Sequence, residues 1–249
     1  PKLAESKNNA KTIKLSSFIS SELEGSADRL TQREIKDAED HYSKKMGLKP
    51  TDQAMPSEEQ LTALKAVLDQ NINPYVDFSI WGPNNTRFIK KKSQITSYAM
   101  DPETGSWSAK ATTNGPSGIT VWSACWQVFR TAMVMLKAAE PERLDQYSAF
   151  IKSLAERHGA NCWFLIYQAD IRLRSERIPK VVRNLKDSPD DFTKWALAYT
   201  QAIDMETPGV SEFWRDQVHR LCSEFKSGAT SKWALTRDDT FIHMQEGSP

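Results

Sequence analysis

The stretch that decides the fold opens with Ile119-Thr-Val-Trp-Ser-Ala-Cys-Trp-Gln-Val-Phe-Arg130 and passes through Glu140-Pro141 and His158-Gly159. It closes with Cys162-Trp-Phe-Leu-Ile-Tyr-Gln-Ala-Asp-Ile-Arg-Leu-Arg-Ser-Glu-Arg177 and the residues up to Arg183. It reads as three consecutive helices. The first starts at Thr120, a good N-cap, after the breaker Gly115-Pro116-Ser117-Gly118. Val121, Cys125, Val128, Ala132, Met135 and Ala139 recur at steps of three and four; Trp122, Phe129, Met133 and Leu136 do the same on a neighbouring face. So wide an apolar surface predicts a buried helix. Arg130 lies inside the pattern and reads as a cation that snorkels or pairs with a carboxylate.

The second helix starts with proline at its first position, Pro141, and stops at Gly159. Leu144, Tyr147, Ile151 and Leu154 give it a narrow apolar stripe. The third begins near Asn161 and changes character midway. Cys162 to Tyr167 are apolar; Arg172, Arg174, Arg177, Lys180, Arg183 and Lys186 follow, opposed by Asp170 and Glu176. Pro179 should kink or end it. Two readings stay open for this basic end. One is a solvated helix whose C-terminal cations suit the macrodipole. The other is a helix leaving the core for a negative partner. Trp122, Phe129, Met133, Leu144, Trp163 and Ile166 are the expected core.

Around this centre the chain is predicted to be mainly α: a helical bundle with a small β insertion and extended terminal arms. Residues 1–30 are polar and read as an N-terminal arm, 31–228 as the helical core domain with a β unit at about 74–113, and 229–249 as a C-terminal arm. Thr31 with Glu34 and Ser57 with Gln60 are capping boxes, and Gly47 is a helix stop. The first of these helices has few apolar positions, Ile35, Ala38 and Tyr42, and reads as peripheral; the second carries Leu61, Leu64, Val67 and Leu68. Tyr75 to Trp81 alternates loosely and favours a strand. Ile95 to Met100 and Ser106 to Thr112 read as a hairpin about a five-residue connection. Ser188-Pro189-Asp190-Asp191 opens a later helix, and Ser211 caps another carrying Phe213, Trp214, Leu221, Cys222 and Phe225. Trp233, Leu235, Phe241 and Ile242 are anchors that would dock the C-terminal arm on a surface, in cis or on a neighbour.

A chain of 249 residues can bury a real core. Its net charge of +1 gives no whole-molecule argument for nucleic acid, so any basic surface must be local. The three cysteines, Cys125, Cys162 and Cys222, form no paired framework and read as reduced core thiols. The sequence has no run of apolar residues long enough to span a membrane and no signal peptide. An intracellular location (cytoplasm or nucleus) or a place within an assembled particle is expected, and secretion is not.

Motifs for chemistry are missing. No phosphate-cradling glycine loop, nucleophile elbow or His-Glu-x-x-His occurs. His219 and Cys222 lie one helical turn apart with Asp216 before them, but the sequence offers no second ligand pair. No metal, cofactor or catalytic residue is therefore assigned. Arg87, Lys90, Lys91 and Lys92 lie near aromatic residues in the β unit, a pattern that suits single-stranded nucleic acid and equally a lysine-protected edge strand.

Three segments carry a family resemblance: Pro74 to Pro83, Trp122 to Thr131, and Cys162 to Glu176 with its Trp-Phe-Leu-Ile-Tyr-Gln-Ala-Asp run. They resemble a dinoflagellate protein family of unassigned function, over roughly residues 60 to 226. Such regions can precede a Cys/His-rich segment and reverse-transcriptase-like sequence, which implies a Gag-like role. The Cys/His-rich segment is not in this sequence. The leading expectation is a self-assembling coat or packaging protein that forms homo-oligomers through its arms and binds single-stranded nucleic acid, RNA above all. Arg172, Arg174, Arg177, Lys180 and Arg183 would hold phosphates, with Lys90, Lys91 and Lys92 as a second patch. The alternative is a helical scaffold or accessory subunit of a larger complex without nucleic acid.

Overall fold

The computed structural model describes residues 12–20, 22–83, 115–185 and 191–227, and as paired backbone 95–100, 107–112, 233–235 and 241–243. The fold is mainly α-helical with short antiparallel hairpins. Hairpin β1 (Thr12–Lys14) and β2 (Ser26–Asp28) comes first, then α1 (Gln32–Met46) and α2 (Glu58–Asp69). Hairpin β3 (Ile95–Met100) and β4 (Trp107–Thr112) follows, then α3 (Ile119–Met135), α4 (Pro141–His158) and α5 (Trp163–Arg172). A π-helical turn, Leu173–Arg177, joins α5 to α6 (Ile178–Asn184), and α7 is Thr193–Gln201. A second π-helical turn, Arg215–His219, joins α8 (Val210–Trp214) to α9 (Arg220–Lys226). Strands β5 (Trp233–Leu235) and β6 (Phe241–His243) pair last.

Local chemistry explains the boundaries. Both capping boxes form, Thr31 with Glu34 and Ser57 with Gln60, and Gly47 ends α1 in the left-handed conformation. Pro141 opens α4 and Gly159 closes it. Helix α3 starts one residue before the expected Thr120 cap, with Gly118 at the cap position. The chain needs glycine at Gly115 for a different reason: a Cβ there would sit 2.1 Å from the Tyr167 ring. Trp163 Nε1 then donates to Pro116 O at 2.7 Å, fixing the breaker against α5. Helix α8 begins at Val210 after a left-handed Gly209, so Ser211 is not its cap.

The six residues expected in the core are all buried. Trp122 and Trp126 stack at 5.1 Å on one face of α3, and Phe78 meets both edge-on. Tyr147 of α4 and Tyr199 of α7 close the other side of Trp126. Arg130 forms a two-pronged pair with Asp145, both N···O distances 2.6 Å, which is the paired reading.

Two expectations are corrected. Tyr75 to Trp81 is not a strand but a buried loop that ends in a turn. Its apolar residues Val76, Phe78 and Trp81 are core all the same, which is why the alternation looked like a strand. The N-terminal segment is not a detached arm from residue 12 onward. Ile13, Leu15 and Ile19 belong to the hydrophobic core, and Ile19 O accepts the Asp77 amide at 2.8 Å. Three well-spaced apolar residues were enough to seat a segment that is otherwise polar. The β3–β4 hairpin pairs Ile95 with Thr112 through Met100 with Trp107, as read. At the C-terminal end, an antiparallel β5–β6 pair stands where an extended arm was expected.

Candidate functional site

The basic helix end divides into an interior and an exterior part. Asp170 and Arg174, one turn apart, are fully buried. Asp170 accepts from Trp122 Nε1 at 3.0 Å, from Tyr147 OH at 2.9 Å and from Arg174 Nε at 3.0 Å. Arg174 Nη2 lies 2.8 Å from the same carboxylate, as an ion contact and not a second hydrogen bond. Arg174 Nη1 donates to Val76 O at 2.7 Å, and the guanidinium lies over the Phe78 ring at 4.2 Å. Burial opposes the arginine's charge, but the Asp170 carboxylate together with Tyr75 and Tyr199 outweighs it and the guanidinium pKa rises. Burial and then Asp170 push the Tyr147 phenol up, so it remains a neutral donor. The cluster pins the 74–81 loop to three helices.

The π-helical turn makes this placement possible. The Ile178 amide reaches back five residues to Leu173 O, and Pro179 has no N–H. The carbonyls of Arg174 and Ser175 therefore lose their ladder partners. Asn73 Nδ2 donates to both, at 2.8 and 3.3 Å. Pro179 neither ends the helical run nor breaks it freely; its cost is met by a side chain from the loop.

The other cations are placed differently. Arg172 Nη1 donates to Gln217 Oε1 at 2.8 Å. Arg177 Nη1 donates to Gly209 O at 2.8 Å, with its guanidinium over Phe213. Both hold the α8–α9 segment against the helical run. Lys180 and Arg183 are exposed. Lys90, Lys91 and Lys92 lie outside the described residues. Arg174 is thus removed from the phosphate-binding set, because its charge is sealed against Asp170.

A second arrangement escaped the sequence reading. Residues 158–164 run alongside 219–225, and like meets like along the seam. His158 Nε2 and His219 Nδ1 are 2.8 Å apart. Cys222 is hydrogen-bonded to Cys162, and burial followed by that neighbour pushes the Cys222 thiol up to about 12. Phe164 and Phe225 meet edge-to-face at 5.3 Å, both exposed. The pair missing beside His219 and Cys222 is His158 and Cys162, and the shared order His, Cys, Phe on the two segments was the only signal of it. Each pair closes on itself, and Asp216 turns to Arg215 at 3.0 Å. Among the described residues no group of three or more His, Cys, Asp or Glu side chains could hold a metal ion.

Among the described residues no helix is long and apolar enough to cross a membrane. No family model, curated protein or solved structure matches the chain. The dinoflagellate resemblance therefore rests on the quoted segments alone.

Proposed function

We propose that this chain is a non-catalytic helical scaffold module, an accessory subunit that joins protein chains without nucleic acid. The observation that supports this reading is the inward use of the basic run. Arg174 neutralises Asp170 inside the core, and Arg172 and Arg177 tie the α8–α9 segment to it. A packaging protein needs cations that face solvent. At about 0.7 per phosphate contact on a single strand, five cations would give a salt slope of roughly 3.5, and two roughly 1.4. The smaller slope belongs to weak, incidental binding.

Lys180 and Arg183 are the observation that favours the second reading, a coat protein for RNA, since both remain exposed on the same helix end. Size-exclusion chromatography with absorbance at 260 and 280 nm, before and after nuclease, separates the two. The scaffold reading expects a protein-only spectrum that nuclease does not change. A co-eluting nucleic acid that nuclease removes, and that the variant Lys180→Ala with Arg183→Ala loses, would overturn it in favour of packaging.

A further inference from the structure

Along the seam between residues 158–164 and 219–225, two thiols meet between two other side-chain pairs. His158 and His219 touch on one side of them in the chain, 2.8 Å apart, and Phe164 and Phe225 meet on the other with ring centroids 5.3 Å apart. These contacts hold the two segments together on both sides of Cys162 and Cys222, which are hydrogen-bonded to each other. Both cysteines are free thiols and fully buried. The seam reaches the surface beside them all the same: the two imidazoles are half-buried, and Phe164 is 38% exposed and Phe225 39%.

A buried thiol among apolar neighbours is ordinarily inert. A thiol held against a second thiol differs, because the sulfur that would resolve an oxidised intermediate is already in place. Burial, and then Cys162, pushes the Cys222 thiol up to about 12, so Cys222 is the protonated donor of the pair and the first attack falls to Cys162.

We propose that Cys162 and Cys222 are a redox-sensitive pair: a peroxide converts them to a disulfide that staples α9 to the start of α5, and a thiol reductant releases it. Two thiols and one peroxide give one S–S bond and two waters. The Cys162 thiolate attacks a peroxide oxygen, the O–O bond breaks, and the departing hydroxide leaves as water with the proton that Cys162 gave up. Cys162 is then a sulfenic acid. The Cys222 sulfur attacks it, the S–O bond breaks, and the hydroxyl leaves as the second water with the Cys222 proton. A bridge between these positions closes a long loop around α6, α7 and α8 and stabilises the fold by constraining the unfolded chain. The proposal is independent of whether the protein is a scaffold or a coat protein.

Hydrogen peroxide added to the folded full chain, followed by maleimide labelling in denaturant and peptide mapping, tests it. The chain has three cysteines. The expected result is loss of two labels, a crosslinked peptide joining Cys162 to Cys222, and the label kept on Cys125. Dithiothreitol should restore all three labels. The urea midpoint should rise on oxidation and return with dithiothreitol. Cys222→Ser should form no bridge and leave Cys162 as a sulfenic acid that dimedone captures. Should that variant misfold, the mapping and the midpoint of the wild type decide alone. Three labels kept under a treatment that oxidises the urea-unfolded chain would overturn the proposal. So would a bridge to Cys125, oxidation to sulfinic acid without a bridge, or a midpoint that does not rise when the bridge forms.

Discussion

Arg174 and Arg183 belong to the same basic run, yet they have opposite fates. Arg174 sits one turn from a buried carboxylate, below a loop that offers a carbonyl and an aromatic face, and it is core. Arg183 lies near the end of α6 and faces solvent. The difference teaches that a stripe of cations is not a surface. What decides each one is whether a carboxylate and a spare backbone acceptor lie within reach on the packed side.

The largest expected effect comes from breaking the interior side. Asp170→Ala leaves Arg174 charged and buried, with the Trp122 and Tyr147 donors unmatched, and should cost about 3–5 kcal/mol in a denaturant titration. Next is the N-terminal segment that holds the loop carrying Val76. Ile19→Ala should cost about 2–5 kcal/mol, since the side chain is buried in the core. A result near zero would restore the detached-arm reading. Asn73→Ala should cost about 1–3 kcal/mol by leaving the Arg174 and Ser175 carbonyls unpaired at the π-helical turn.

A smaller effect comes from the His158–His219 pair. Burial lowers the pKa of His158 below the ordinary 6.5, helped by His219, Lys226 and Arg157; burial and Arg157 do the same to His219. The unfolded chain then binds protons more readily than the folded one. The pair's contribution is therefore whole above about pH 6.5 and is lost as pH falls through the lowered values. His41 on α1 is lowered in the same sense, by burial and then Lys137. The urea midpoint should drop as the pH falls below about 6.5, and His158→Gln should drop less. Equal slopes would show that the imidazole pair carries no acid sensitivity. Smallest of all is Lys180→Ala, which should stay within about 0.5 kcal/mol of wild type.

Much of the fold was legible because local and global signals agreed. The wide apolar surface of Ile119–Met135, Pro141 and Gly159 around α4, and the two capping boxes each have a local cause in the chain. Tyr75 to Trp81 misled because apolar residues two apart, such as Val76 and Phe78, fill a core equally well from a strand or from a loop. Arg174 misled because composition counts charges without their partners, although Asp170 at four residues' distance was a visible clue. The His158–His219 pair joins residues 61 apart, and nothing but tertiary packing brings such positions together. Asn73 at the π-helical turn was hidden for the same reason.

The most direct measurement is a side-by-side urea titration of Arg174→Ala and Arg183→Ala. The account predicts that Arg174→Ala loses about 3–5 kcal/mol while Arg183→Ala stays within about 0.5 kcal/mol of wild type. Equal, small losses in both variants would contradict it, and would mean that Arg174 faces solvent like the rest of the basic run.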